Sequence, residues 1–315
     1  MKFILISSFS FLISYVLINA LLPFFKKYLL TNPILRSSHK KPLPTGGGII
    51  FSFTSAVFSL TYGWYVPLIC LPISLIGFAD DKLSISKLLR YFSQVFTAFL
   101  LIYFCQSKII NLGSMDSKNL FFYFIFFVFV IFVMTAIINF FNFMDGIDGL
   151  VASIFSLYLF YLCLTDSTNK IFLLCSLIAF LVFNWMPAKI FMGDAGSTFI
   201  GSVYLGTLLE VNDFHELFLR FIILTPLLGD ALFTLFLRLV NKQNIFKAHK
   251  LHLYQRLNQA GMDHAQVSLL YLGASTLLCL ISIYSLLMSI IFAFLIIVFG
   301  FYLNKNKAVP FNKYY

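Results

Sequence analysis

The chain has 315 residues, of which 60% are hydrophobic and 11% charged, with a formal net charge of +10. A mean hydropathy of +0.93, with apolar runs of about 20 residues repeated from end to end, excludes a soluble globular domain and reads as a polytopic helical membrane protein. Cys70, Cys105, Cys163, Cys175 and Cys279 stand singly in apolar stretches without C-x-x-C spacing, so they read as packing residues rather than as a disulfide or zinc framework.

From the N-terminus, the apolar run from about Phe3 to Phe25 is too long for a signal-peptide core and lacks a small-residue cleavage pattern. It is expected to remain as the first span. At roughly 15–23 residues per crossing, about eleven spans (10–11) follow, near 3–25, 48–62, 65–79, 91–109, 119–140, 149–165, 170–186, 197–212, 217–240, 265–283 and 285–303. The expected fold is all-α, one integral-membrane domain over residues 1–315, with cytosolic loops near 26–47, 80–90, 141–148, 187–196 and 241–264.

Basic residues set the orientation. If the spans alternate, Lys26, Lys27, Arg36, Lys40, Lys41, Lys82, Lys87, Arg90, Lys189, Arg238, Lys242, Lys247, Lys250, Arg256, Lys305, Lys307 and Lys313 fall on one side. Lys2, Lys108, Lys118, Lys170 and Arg220 fall on the other. The positive-inside rule then puts the N-terminus outside and the C-terminal tail in the cytosol. Counted the same way, Asp80, Asp81, Asp145, Asp148, Asp194 and the segment 242–264 all reach the cytosolic side. That convergence argues for one site at the membrane boundary, where the positive face attracts anionic lipids and phosphorylated substrates.

Carboxylates at a membrane cost roughly 2.5–3.5 kcal/mol each at a helix centre, so they usually serve a function. Asp80-Asp81 closes an apolar span just before Lys82, Lys87 and Arg90. Neighbours on a helix point about 100° apart, so one acid could face a metal or phosphate while the other acts as a base or orienting group. The plainer reading is a pair of solvated acids ending a helix. Asn139-Phe-Phe-Asn142-Phe-Met-Asp145-Gly-Ile-Asp148-Gly-Leu150 places amides and acids three apart, an oxygen-rich surface suited to Mg²⁺ and a polar ligand. Asn184-Trp-Met-Pro187-Ala-Lys189-Ile-Phe-Met-Gly193-Asp194-Ala-Gly196-Ser197 adds an acid between glycines at the next cytosolic helix end, after a proline expected to interrupt the helix. Asp230, inside an apolar span after Pro226, either serves function or satisfies a backbone break. His249, His252 and Arg256 read as an anion clamp rather than a zinc site. Pro44-Thr45-Gly46-Gly47-Gly48 brings backbone near a phosphate or permits tight helix packing.

In order, these motifs resemble the polyprenyl-phosphate N-acetylhexosamine-1-phosphate transferases, of the bacterial glycosyltransferase family 4 type. The resemblance runs from Pro42 to about His264 and includes Ser86, Arg90 and Gln94 after Asp80-Asp81-Lys82. It implies a protein of the bacterial inner membrane that uses Mg²⁺, or Mn²⁺, to move a sugar 1-phosphate from a UDP-sugar to undecaprenyl phosphate, releasing UMP. By the same resemblance Asp148 and Asp194 hold the metal, Asn142 and Asp145 hold the nucleotide-sugar, and Asp80 or Asp81 acts on the lipid phosphate. Asn184, Lys87, Arg90, His249, His252 and Arg256 are the further substrate-binding candidates, nucleic acid is not an expected partner, and a homodimer is left open. His249-x-x-His252 replaces the run of adjacent histidines of the phospho-N-acetylmuramoyl-pentapeptide branch, so the loop is more similar to the branch that initiates O-antigen, capsule or related polysaccharides. A transporter, a lipid flippase and the pentapeptide branch are the rival readings; a CDP-alcohol phosphotransferase motif is not continued by Asp148-Gly149-Leu150-Val151. On this topology Asp148→Ala and Asp194→Ala abolish turnover, while Asp166→Ala, on the opposite face, is nearly silent.

Overall fold

A computed structural model describes residues 2–31, 42–105, 120–245, 247 and 249–311, with the side chains of residues 2–6 and 120 left aside. Arg36, Lys40, Lys41, Lys108, Lys118 and Lys313 lie outside the described residues, as does much of the loop expected at 26–47. Among the described residues the chain forms α1 (Lys2–Tyr28), β1 (Leu30–Thr31), β2 (Leu43–Pro44), α2 (Gly48–Tyr62), α3 (Val66–Leu83), α4 (Lys87–Cys105), α5 (Leu120–Met144), α6 (Leu150–Thr165), α7 (Ile171–Asn184), α8 (Gly193–Leu209), α9 (Phe214–Ile223), α10 (Thr225–Val240), α11 (Leu253–Gln259), α12 (His264–Ser282) and α13 (Leu286–Asn306). The architecture is nearly all helical and that of a membrane protein.

Each expected span meets a helix, but not every helix is a full crossing. Among the described residues five are long and apolar enough to cross a bilayer, namely Ser7–Tyr28, Lys87–Cys105, Phe121–Met144, His264–Ser282 and Leu286–Asn306. The expected single span at 217–240 is instead a broken pair, α9 and α10, bent by 78°. Leu224 leaves the helical conformation there, and Pro226 sits in the first turn of α10, where its missing N–H is no loss. The 15 residues of α2 and 14 of α7 rise only about 20 Å, short of a hydrocarbon core of about 30 Å.

Phenylalanines of α5 and α13 face outward, among them Phe121 and Phe294, as lipid-facing surfaces require. At the centre lies α8, buried from Ala195 to Leu209 and packed against α2, α3, α4 and α5. Its glycines and serines permit that approach. A Cβ on Gly48 of α2 would sit 2.2 Å from the Gly196 Cα, so Gly48 is present for helix contact. The preceding Pro44–Gly47 segment is stitched to the chain before α8, with Phe191 N–H donating to Pro44 O at 2.9 Å and Gly47 N–H donating to Phe191 O at 2.9 Å.

The same packing gathers charge at the two ends of α6 and α8. Asp148 and Asp194 stand at their beginnings, and Asp166 and Glu210 at their ends. Lys170 Nζ joins the latter pair, at 2.8 Å from Asp166 and 3.5 Å from Glu210. Arg220 of α9 reaches Asp166 at 3.2 Å and donates to Thr207 O. Trp64 Nε1 donates to Glu210 at 2.9 Å. Asp166, expected to be nearly silent for turnover, thus has a structural task at this end: it neutralises two buried cations.

Candidate active site

The opposite end is built from the α3–α4 turn outward. Ser84 adopts φ +51° after α3 and lets the chain reverse. Asp80 holds the turn, accepting the Ile85 N–H at 2.6 Å through Oδ1 and Arg90 Nη1 at 2.9 Å through Oδ2. Arg90 Nη1 also lies 3.3 Å from Asp194 Oδ2, so one half-exposed guanidinium joins two motifs that are remote in sequence. Asp81 accepts the Asp194 N–H at 3.0 Å, placing a carboxylate at the electropositive start of α8. Lys87, one turn before Arg90, is exposed.

Gly193 is fixed by this geometry. Its φ is +67°, and a Cβ there would meet Asp81 Oδ2 at 2.2 Å and Thr45 Oγ1 at 2.6 Å. Gly193→Ala is therefore expected to push Asp81 off the α8 amides and to lower turnover by more than tenfold, while Gly273→Ala, whose Cβ would meet nothing within 4 Å, retains it. Parallel activity assays on the two variants check this.

Asn142 approaches the Asp194 carboxylate, which brings the second motif to the same place. Asp145 follows in the loop after α5. Burial first, then the negative charges of Asp194 and Asp148, push its carboxyl up to about 8. The folded chain consequently holds a proton that the unfolded chain has already lost, from about pH 4 to about pH 8. Stability is expected to fall as pH rises through that window, and Asp145→Asn should flatten the fall. Thermal unfolding in detergent with chelator, compared at about pH 5 and about pH 9, tests this sign.

Asp148 is more enclosed. Its Oδ2 accepts the Ala188 N–H at 3.0 Å, and its Oδ1 lies 3.1 Å from His264 Nδ1. Asn184 accepts the Gly149 N–H at 3.1 Å and donates to Ile190 O at 3.0 Å. It pins the Asp148 corner to the loop leading into Gly193. Asn139 exchanges two amide hydrogen bonds with Gln94, at 2.9 and 3.1 Å.

The histidine loop differs from a cationic clamp. Burial, then His252 and Arg238, lower the His249 imidazole to about 3, so it is neutral near pH 7. His252 is buried 3.8 Å from Asp230. Arg256 is buried too, donating to Leu251 O and Val309 O at 3.0 Å each and to Asn304. These contacts hold the loop to the start of the C-terminal tail. Asp230 accepts the Leu253 and Tyr254 N–H groups at 2.7 and 3.0 Å and the Tyr271 hydroxyl at 2.7 Å. It caps α11, while Tyr254 reaches back to Phe143 O at 2.9 Å.

Among the described residues, no group of three or more His, Cys, Asp or Glu converges as a ready-made metal cage. The donors present, Asp145, Asp148, Asp194 and Asn142, are hard oxygen ligands. They fit Mg²⁺, which takes one or two carboxylates and completes its shell with water and substrate phosphate.

Sequence reasoning did not find His264. Asp263 and Gln266 form a capping box that marks the start of α12, yet nothing local announces a partner 116 residues upstream.

Residues 63–212 match the family described as glycosyl transferase family 4. The matched segment carries Asp80-Asp81, Asn139–Leu150 and Asn184–Ser197. A protein of Bacillus subtilis (strain 168) named "Probable undecaprenyl-phosphate N-acetylglucosaminyl 1-phosphate transferase" is 32% identical over 156 residues, covering 45% of this chain and 44% of that protein. The chain therefore matches less than half of that relative's length.

Proposed function

We propose that the whole chain is a sugar-1-phosphate transferase of the bacterial inner membrane, taking a UDP-N-acetyl amino sugar and undecaprenyl phosphate and releasing UMP. The observation that carries this reading is Arg90, which joins Asp80 to Asp194 at 2.9 and 3.3 Å, so that acids from separate motifs share one charged site. A transporter would instead be expected to place its charged site near the bilayer midplane, between two similar halves. A cytosolic position for this cluster follows from the positive-inside count. The relative's name makes UDP-N-acetylglucosamine the first donor to try.

In this reading an oxygen of the lipid phosphate attacks the β-phosphorus of the UDP-sugar. The new P–O bond forms as the bond from the β-phosphorus to the bridging oxygen breaks, and UMP leaves with that electron pair. A phosphate monoester has its second pKa near about 6, so the nucleophile is largely ionised and needs little base catalysis. Asp80 and Arg90 orient the lipid phosphate, the half-exposed guanidinium supplying the charge; Asp81 fixes Asp194 by holding the α8 amides. Asn142 and Asp145 line the nucleotide-sugar, and Lys87 lies at the rim. Asp194 and Asp148 would hold Mg²⁺, which when bound neutralises the pyrophosphate and stabilises the departing UMP. His249 contributes as a neutral hydrogen-bonding group.

Incubation of purified protein with undecaprenyl phosphate, Mg²⁺ and a panel of UDP-N-acetyl sugars, followed by mass spectrometry of the lipid, tests the proposal. A sugar-diphospho-lipid formed together with UMP is the expected result. UMP release without the lipid acceptor, or no product from folded protein with any sugar, would overturn it.

A further inference from the structure

The start of α12 grips residue 148 at several points. His264 Nδ1 lies 3.1 Å from Asp148 Oδ1 and 3.4 Å from the Asp148 backbone nitrogen. One turn later, the buried Ser268 hydroxyl donates to Asp148 O at 2.8 Å. From the other side the Ala188 N–H holds Oδ2 at 3.0 Å. With one oxygen fixed by a backbone amide, the plane of the carboxylate is decided by what meets the other oxygen. His264 is the side chain in that position, and it is mostly buried.

We infer that His264 is a positioning residue for the transfer reaction: it orients the Asp148 carboxylate, the group that would hold the cation at the donor's phosphates. This rests on the transferase reading. His264 lies 52 residues beyond the matched segment, which ends at residue 212, and so nothing in that match assigns it a role. Its chemistry suits the task. With the proton on Nδ1 it donates to Oδ1, and this is the form that orients the carboxylate; with Nδ1 bare it would accept the Asp148 amide N–H instead and leave the carboxylate unheld. The α12 start is itself held by the Asp263–Gln266 capping box, with Asp263 Oδ1 accepting the Gln266 N–H at 2.7 Å and Gln266 Oε1 accepting the Asp263 N–H at 2.9 Å. The imidazole thus projects from a fixed base. Partners that orient a ligating carboxylate or imidazole typically cost roughly 10–100-fold when removed.

The test uses full-length protein in detergent, with UMP plus Mg²⁺ as the binding probe because every UDP-sugar donor contains UMP. Calorimetric titration, steady-state kinetics and thermal unfolding are compared for wild type, His264→Ala, His264→Asn and Ser268→Ala. His264→Ala is expected to weaken UMP binding and kcat/KM by roughly 10-fold or more. His264→Asn, whose amide nitrogen falls close to the Nδ1 position, should restore most of both. Ser268→Ala should lower the melting temperature with UMP affinity retained. In an Asp148→Asn background, His264→Ala should add little further loss, since the two act through one group.

Folded His264→Ala that matches wild type overturns the inference, as does folded His264→Asn that binds no better than His264→Ala. Failure of the transferase reading is separately visible, as wild-type protein that neither binds UMP nor forms product.

Discussion

Replacing Asp166 by alanine is expected to destabilise the folded protein by about 2–3 kcal/mol, without altering turnover per folded molecule. Lys170 and Arg220 have side chains only 3% and 4% exposed, and Asp166 contacts both, at 2.8 and 3.2 Å. Removing one partner of a buried pair costs about 3–5 kcal/mol when the remaining charge is stranded. Here the cost is smaller. Lys170 keeps Glu210 at 3.5 Å and a cation–π contact with Trp64, and Arg220 keeps the Thr207 carbonyl. Adding Glu210→Ala takes away the second anion on Lys170, so the double variant should lose more than the sum of the single losses. Turnover is spared because the 17 residues of α8 put roughly 25 Å between the Glu210 and Asp194 ends. Thermal unfolding in detergent alongside UMP release measures both quantities. An unchanged melting temperature in Asp166→Ala would remove the argument for a stabilising charge cluster.

That cluster shows where sequence reasoning stops. Apolar runs marked every helix region except α11, which lies in the loop expected at 241–264, because burial in lipid demands a continuous apolar surface that composition reveals directly. Apolar composition alone did not separate full crossings from shorter helices, since α2 and α7 are as apolar as the long ones. The α9–α10 break had its signal in Pro226, and its 78° angle depends on Arg220 and the packing around Leu224. The acids at the site were legible because carboxylates are rare in such a chain. Their division of labour was not: Asp81 supports the α8 amides, Asp230 caps α11 and Arg256 ties down a loop, each through contacts with residues far away in sequence. The Arg90 bridge to Asp194 spans 104 positions, and no local pattern encodes it.

Asp194→Asn is expected to lower turnover by about 10²–10³-fold, the loss seen when one fixed electrostatic partner of a developing charge is removed, while the protein keeps its fold. The asparagine is nearly isosteric, so the α8 amides stay on Asp81 and the Thr198 hydroxyl keeps its 2.6 Å bond to the residue 194 carbonyl. What disappears is one negative charge facing Arg90, Asn142 and Asp145. Its removal relieves one of the two like charges that raise the Asp145 carboxyl. Asp145 should then release its proton at a lower pH, and the fall in stability with rising pH should end earlier than in the wild type. Arg90→Ala makes the complementary change, since it leaves Asp80 and Asp194 facing each other without their shared cation. It should therefore lose both turnover and stability. UMP-release kinetics and pH-dependent unfolding on the two variants separate charge from scaffold. If Asp194→Asn kept near wild-type turnover, or lost activity only by melting, the carboxylate at the start of α8 would be a structural group, and the cation and pyrophosphate would have to be held elsewhere.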